Sequence, residues 1–284
     1  MKIIKTIAAM CLLTASITAF GQKKTEMLLW DNDPLTNTEA KSAAIHSDDY
    51  TKDPAITVYT PKNPSGKTII MCPGGGYSHE ATLHEGHDMA DWFNSQGITY
   101  AVLKYRLPKG DNKIPLADAE QAMRLVRRYA KELGVDPNKV GIMGASAGGH
   151  LASTLATHYS SPETRPDFQV LFYPVVSMEK SKTHMGSRNN LLGDNPSEDL
   201  VRLYSNELQV TPDTPKAFIM LSSDDKVVVP ANSIDYYTSL IGNNVGASLH
   251  IYPTGGHGWG FRDSLPYKSQ WTQELEKWLR EEVQ

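Results

Sequence analysis

The sequence predicts an α/β fold, a mainly parallel central sheet with helices on both faces. Three observations lead there. From Lys67 onward, short apolar runs rich in β-branched residues alternate with stretches of helical period, as successive βαβ units require. One such stretch, "PLADAEQAMRLVRRYAKELG" (115–134), is bounded by Pro115 and Gly134 and repeats its apolar residues at three and four. The 284 residues, 40% of them apolar and 21% charged, suffice for one large domain and hold no repeat or low-complexity tract.

In chain order, "MKIIKTIAAMCLLTASITAFGQ" comes first. Lys2 and Lys5 precede an apolar run over 6–20, with small residues before Gln22. This layout predicts a secretory signal peptide over 1–21, too short and poorly flanked for a stable membrane span. Residues 22–284 then form a single domain. "AITVYTP" (55–61) reads as an antiparallel edge strand, and "KTIIMCP" (67–73) and "GITYAVLKYR" (97–106) as buried strands. Between the last two, Met89, Trp92 and Phe93 mark a helix over 87–95. After the helix of 115–134, residues 139–143 form the next strand, and 150–158 a helix with Leu151, Leu155 and Ala156 on one face. "FQVLFYPVV" (168–176), "KAFIMLSS" (216–223) and "ASLHIYP" (247–253) complete the strands, with helices over 231–241 and 267–282. Residues 177–214 break the rhythm with Gly, Asn, Asp, Ser and Pro, and read as an insertion carrying a short helix around 198–207.

Charge and cysteine usage narrow the setting. The formal charge is −4, more negative still without Lys2 and Lys5, and no basic cluster is present, so nucleic acid is a poor partner. Cys11 lies inside the expected leader, and Met10 stands before it where a lipid anchor wants a small residue. Cys72 alone remains, so the exported chain has no internal disulfide and its core must hold it together. A periplasmic or secreted location follows.

Ligands of open α/β sheets bind at the carboxyl ends of strands. Residues 139–143 lead into "GASAG", where Ser146 sits between Gly144 and Gly148 at an abrupt strand-to-helix turn. This is the spacing of a nucleophile elbow, whose strained turn lifts the hydroxyl out of the sheet top and tolerates no bulk beside it. The run 216–223 leads into "DDKVVVP", with Asp224 and Asp225, and 247–253 into "TGGHGWG", with His257. A serine hydroxyl is a weak nucleophile until an imidazole takes its proton and a carboxylate orients that imidazole. A fourth strand end carries "CPGGGYSHE", whose glycines let backbone amides approach a developing oxyanion; the amide of Ala147 would add a donor. Each feature alone is an ordinary loop. Four of them, in the order Ser, Asp, His and each at a strand end, predict a serine hydrolase.

Two other chemistries are set aside. His79, His84 and His87 beside Glu80, Glu85 and Asp88 lack metal-ligand spacing and read as a polar rim above the sheet, with no metal site. "GASAGG" lacks the G-x-G-x-x-G order of a dinucleotide site, and no cofactor is called for.

Together "MCPGGGYSHEA", "KYRLP", "PLADAEQAMRLVRRYA", "VDPNKVGIMGASAGGHLAS", "SSDDKVVVPANS" and "GGHGWG" resemble the α/β-hydrolase superfamily, and within it the bacterial carboxylesterases that include acetylxylan and feruloyl esterases. The resemblance runs from about Met27 to the C-terminus. It implies an α/β-hydrolase catalytic domain over 22–284, with Ser146 as nucleophile, Asp225 as acid partner and His257 as base. It further implies an oxyanion hole of Gly75, Gly76 and Ala147, and an acylated carbohydrate or small ester as substrate. Acetyl groups on a plant polysaccharide such as xylan come first, and feruloyl groups next. Two departures stand out. Pro73 replaces the histidine that often precedes the glycines, and Val227 to Val229 push Pro230 one place beyond the usual acid motif, so Asp224 stays a candidate beside Asp225. Tyr77, Trp259 and the insertion are candidate walls of the substrate site. A serine peptidase or amidase of the prolyl-oligopeptidase type is the alternative: such enzymes usually carry a large extra domain that this length excludes, but a lone catalytic domain could still cut small peptides or amides. A purely binding relative would be expected to lack a catalytic residue, and none is missing. No feature specifies an oligomeric state.

Overall fold

The computed structural model describes residues 22–32, 34–35 and 46–284; the signal peptide expected over 1–21, with Cys11, lies outside the described residues. Among those described, eight strands form one sheet. They are β1 (Lys23–Leu28), β2 (Ala55–Thr60), β3 (Gly66–Cys72), β4 (Thr99–Lys104), β5 (Val135–Ala145), β6 (Gln169–Phe172), β7 (Ala217–Ser222) and β8 (Ala247–Tyr252). Their order across the sheet is β1-β2-β4-β3-β5-β6-β7-β8. The pairs β1/β2 and β2/β4 are antiparallel, so the expected edge strand of 55–61 has a second edge strand outside it. Every pair from β4 to β8 is parallel.

The alternation of side chains along each strand builds two cores. Ile70 and Cys72 of β3 face one layer together with Ile142, Leu171 and Ile219, while Ile69 and Met71 face the other with Met143, Val170 and Met220. A parallel sheet covered on both faces needs such continuous apolar runs. Helix α1 (Ala90–Ser95), entered through a 3₁₀ turn at His87–Met89, contributes Phe93 to the second layer. The helix predicted over 115–134 is two: α2 (Lys113–Arg128) and a single turn α3 (Ala130–Leu133), closed by Gly134 in the left-handed conformation. Helix α4 (Ser146–His158) begins at the elbow serine itself. Insertion helices α5 (Met185–Leu192) and α6 (Glu198–Leu203) follow, then α7 (Ala231–Gly242) and α8 (Lys268–Glu281). Helices α2, α4 and α7 cover the first layer, and α8 seals the second with Trp271, Leu275 and Trp278. Each such large buried side chain contributes roughly 1.5–3 kcal/mol.

Two differences from the sequence reading have local causes. The run 168–176 is a strand only to Phe172, because Tyr173 turns to φ +34° and Pro174 follows. Helix α5 was not anticipated; its Gly and Asn content argues against a helix, and it is started by the His184 side chain, which accepts from the Ser187 amide. The insertion is held to the body by buried polar contacts. Asn206 Nδ2 donates to the His150 carbonyl, Ser153 Oγ and Thr154 Oγ1 of α4, and Asn232 Oδ1 of α7 accepts from the amides of Val176 and Ser177. No helix among the described residues is long and apolar enough to cross a membrane.

Candidate active site

Strand β5 ends at Ala145, and the chain turns at Ser146 with φ +53°, a conformation a non-glycine residue holds only under strain. The turn closes because its flanks lack side chains. A Cβ on Gly144 would overlap the Gly148 carbonyl, and one on Gly148 the Cys72 carbonyl at the end of β3. The G-x-S-x-G spacing is therefore a steric requirement of β3, β5 and α4 meeting at one point.

The next two strand ends converge on that serine. His257 Nε2 lies 2.8 Å from Ser146 Oγ, and His257 Nδ1 lies 2.6 Å from Asp225 Oδ2. The carboxylate can only accept, so Nδ1 carries the proton and Nε2 is left to accept from the serine hydroxyl. The Asp225 side chain is fully buried, and its Oδ1 accepts from the amides of Val227 and Val228 at 2.9 and 3.0 Å. These two bonds fix the direction of the carboxylate, leaving Oδ2 for the imidazole. Asp224 is turned outward and takes the Gly256 amide at 2.8 Å, bracing the loop of His257 without touching the imidazole. The structure thus brings Asp225, and not Asp224, to His257.

The glycine loop after β3 sits against the elbow: a Cβ on Gly74 would come 3.0 Å from Ser146 Cβ. Three successive carbonyls of this loop are engaged. Gly74 O accepts from Ala81 N, Gly75 O from the amides of Ser78 and His79, and Gly76 O from Asn190 Nδ2 of α5 at 2.8 Å. In a trans peptide the N–H points opposite its carbonyl, so the amides of Gly75, Gly76 and Tyr77 face away from those partners. None of the three donates a hydrogen bond among the described residues. Ala147 follows Ser146 in the first turn of α4, where amides have no partner within the helix.

Glu85 joins the two halves of the site. It is 3% exposed; Oε2 accepts from Gly74 N at 2.9 Å and Oε1 from the Tyr173 hydroxyl at 2.8 Å. The same hydroxyl accepts from Gly260 N at 2.8 Å, and the Tyr173 ring packs edge-on against His257 with centroids 4.8 Å apart. Burial first, then the charge of Glu85, keep this phenol well above its ordinary pKa. Beside it, the His84 carbonyl accepts from Phe261 N at 2.7 Å. The glycine loop and the histidine loop are thereby fixed to one short segment.

Several sequence expectations need correction. Tyr77 does not wall a substrate site: it is 2% exposed, and its hydroxyl bonds His150 Nδ1 inside the first core layer. Trp259 is likewise interior, its indole donating to Ser222 Oγ among Phe172, Tyr173 and Trp271. Both rings are drawn inward by apolar area and a polar partner available only there. Glu80 and Glu85 are buried and not on a polar rim. Glu80 Oε1 accepts from Tyr105 N, and burial pushes its carboxyl well above the ordinary value. His87 bonds the Tyr59 hydroxyl at 2.9 Å. No group of three residues placed to hold a metal is found among the described residues. Missed in the sequence were Glu85 as a brace, Tyr173, and His184 and Asn190 of the insertion. The "HEG" at 84–86 carries no local signal for the direction in which its carboxylate points.

Comparison with known proteins places this geometry. The BD-FAE family model matches residues 56–240. The chain is 46% identical to an acetylxylan esterase of Xylanibacter ruminicola over 79% of its own length and 48% of that protein. It is 32% identical to endo-1,4-beta-xylanase B of Butyrivibrio fibrisolvens over 76% of its length and 34% of the relative. It therefore spans about half, or less, of the curated relatives it matches. The crystal structure of an acetyl ester-xyloside bifunctional hydrolase from Caldicellulosiruptor lactoaceticus superposes with a TM-score of 0.78 at 37% identity, covering 90% of this chain and 95% of that one. The fold is the α/β-hydrolase fold, and the chain belongs to the BD-FAE family.

Proposed function

We propose that this protein is an exported serine carboxylesterase that hydrolyses acetyl esters on xylan-type polysaccharides. The observation that carries the reading is the hydrogen-bonded chain from Ser146 Oγ through His257 to Asp225. Ser146 attacks the ester carbonyl while His257 Nε2 accepts its proton, and Asp225 stabilises the imidazolium that forms. The oxyanion rests on the amides of Gly75, Gly76 and Ala147, aided by the N-terminal end of the α4 dipole. His257 then protonates the departing sugar oxygen, leaving an acetyl group on Ser146. Water, activated by the same imidazole, releases acetate and restores the serine. The relatives from X. ruminicola and C. lactoaceticus support acetyl esters of xylan as the substrate class. The leader-like pattern of 1–21 supports a periplasmic or secreted location.

Acetate release from acetylated xylo-oligosaccharides, measured for the protein and for Ser146→Ala, tests the proposal. Release should fall by about 10⁴-fold or more in the variant. Phenyl acetate cleaved with no acetate from the oligosaccharides would remove xylan as substrate, and an active Ser146→Ala would remove the nucleophile.

A further inference from the structure

His184 stands at the rim of this site, on a segment outside the sheet. Its Nδ1 receives the Ser187 hydroxyl at 2.8 Å and the Ser187 amide at 3.2 Å. A nitrogen that accepts from a backbone N–H cannot carry a proton, so in the neutral ring the hydrogen is on Nε2. Nε2 is therefore a fixed donor, and it makes no hydrogen bond among the described residues. The ring is half-buried, and its Cε1 would lie 3.6 Å from a Cβ on Gly76. Asn190, six residues on, holds the Gly76 carbonyl at 2.8 Å, so helix α5 is docked on the glycine loop.

The position of the ring decides which part of an ester it meets. An ester carbonyl seated on Gly76 and Ala147 directs its alcohol oxygen toward His257, which must protonate it. His184 neighbours Gly76 and is close enough to His257 and Asp225 for both charges to act on it. Burial lowers its pKa and so favours the neutral ring, in which the Ser187 amide leaves the proton on Nε2.

We propose that His184 recognises the alcohol half of the ester, its Nε2–H donating a hydrogen bond to a hydroxyl oxygen of the sugar ring that bears the acetyl group. This rests on the esterase reading above and adds a specificity-determining residue to it. The cost of losing the contact falls on sugar esters alone, because an aryl ester offers no hydroxyl there.

Three esters test it: an acetylated xyloside with a free neighbouring hydroxyl, its deoxy analogue, and phenyl acetate. His184→Ala should lower kcat/KM on the first about 3- to 10-fold and move the other two by less than about 2-fold. His184→Gln, which restores an N–H donor, should recover part of the loss. Ser187→Ala removes the hydroxyl bond but keeps the imidazole and the backbone amide that caps the helix and sets the tautomer, and should move all three esters by less than about 2-fold. Equal losses on all three in His184→Ala, or the sugar-selective loss in Ser187→Ala, would overturn the inference. So would unaltered protein that treats the hydroxylated and deoxy esters alike, while its cleavage of both would leave the esterase reading standing. If it released acetate from none of the three, the esterase reading itself would fail.

Discussion

The glycine loop is held from two sides by regions built differently. On the sheet side, Glu85 grips Gly74 and, through Tyr173, the backbone at Gly260, in a network whose side chains are buried. On the insertion side, Asn190 and His184 of a helix outside the sheet meet Gly76 at a half-exposed rim. A buried, fully paired network strengthens its own bonds in a low dielectric and leaves one arrangement. A rim contact is weaker and tolerates change. On the readings proposed above, reaction geometry lies with the sheet and substrate choice with the insertion.

The comparison can be broken most sharply at the two aspartates. Asp225→Asn should lower kcat by about 10⁴-fold, since an amide no longer holds the required imidazole tautomer. Asp224→Asn, which only alters the support of Gly256, should cost less than about 10-fold. Similar losses in both would undo the assignment. The two grips on the glycine loop come next. Glu85→Ala should lower kcat about 10²-fold with little change in KM, because the loop is needed most when charge develops. Asn190→Ala, the corresponding cut at the rim, should cost only about 3- to 10-fold. If the rim variant proved the more damaging, the division of labour would be reversed.

A separate effect, on stability and not on turnover, concerns how the insertion is anchored. His150 is buried in α4; its Nε2 donates to the Tyr204 carbonyl behind α6, while Nδ1 accepts from the Tyr77 hydroxyl. Burial lowers its pKa from 6.5 to about 4, with the Tyr204 bond opposing. The native state therefore stays neutral where the unfolded chain takes up a proton. Stability is full above pH 6.5 and falls as pH drops toward 4, by about 3 kcal/mol at most. His150→Gln should flatten that part of a Tm-against-pH curve, and an unchanged slope would move the effect to other buried histidines.

Much of the fold was legible because burial on a strand or helix leaves a period in the sequence. The alternation of Ile69, Ile70, Met71 and Cys72 between two layers is such a record. Less legible was anything that depends on a turn's exit direction. The apolar run through 168–176 hid the break at Tyr173, and the polar run before His87 hid two buried carboxylates. Aromatic residues beside a motif were read as substrate walls, whereas Tyr77 and Trp259 found both apolar cover and a hydrogen-bond partner inside.

By itself the sequence determined the strand–helix alternation, the elbow around Ser146, and the order in which serine, aspartate and histidine reach the sheet top. These are local matters: periodic burial, and glycines where Gly144 and Gly148 must pass other backbones. Only the tertiary structure decided that Asp225 and not Asp224 meets His257, that Glu85 braces two loops, and that His184 stands over Gly76. Those outcomes depend on segments far apart in the chain closing on one another, and the side-chain directions that result are set by packing and by amides and carbonyls left free in other turns. No local pattern carries that information.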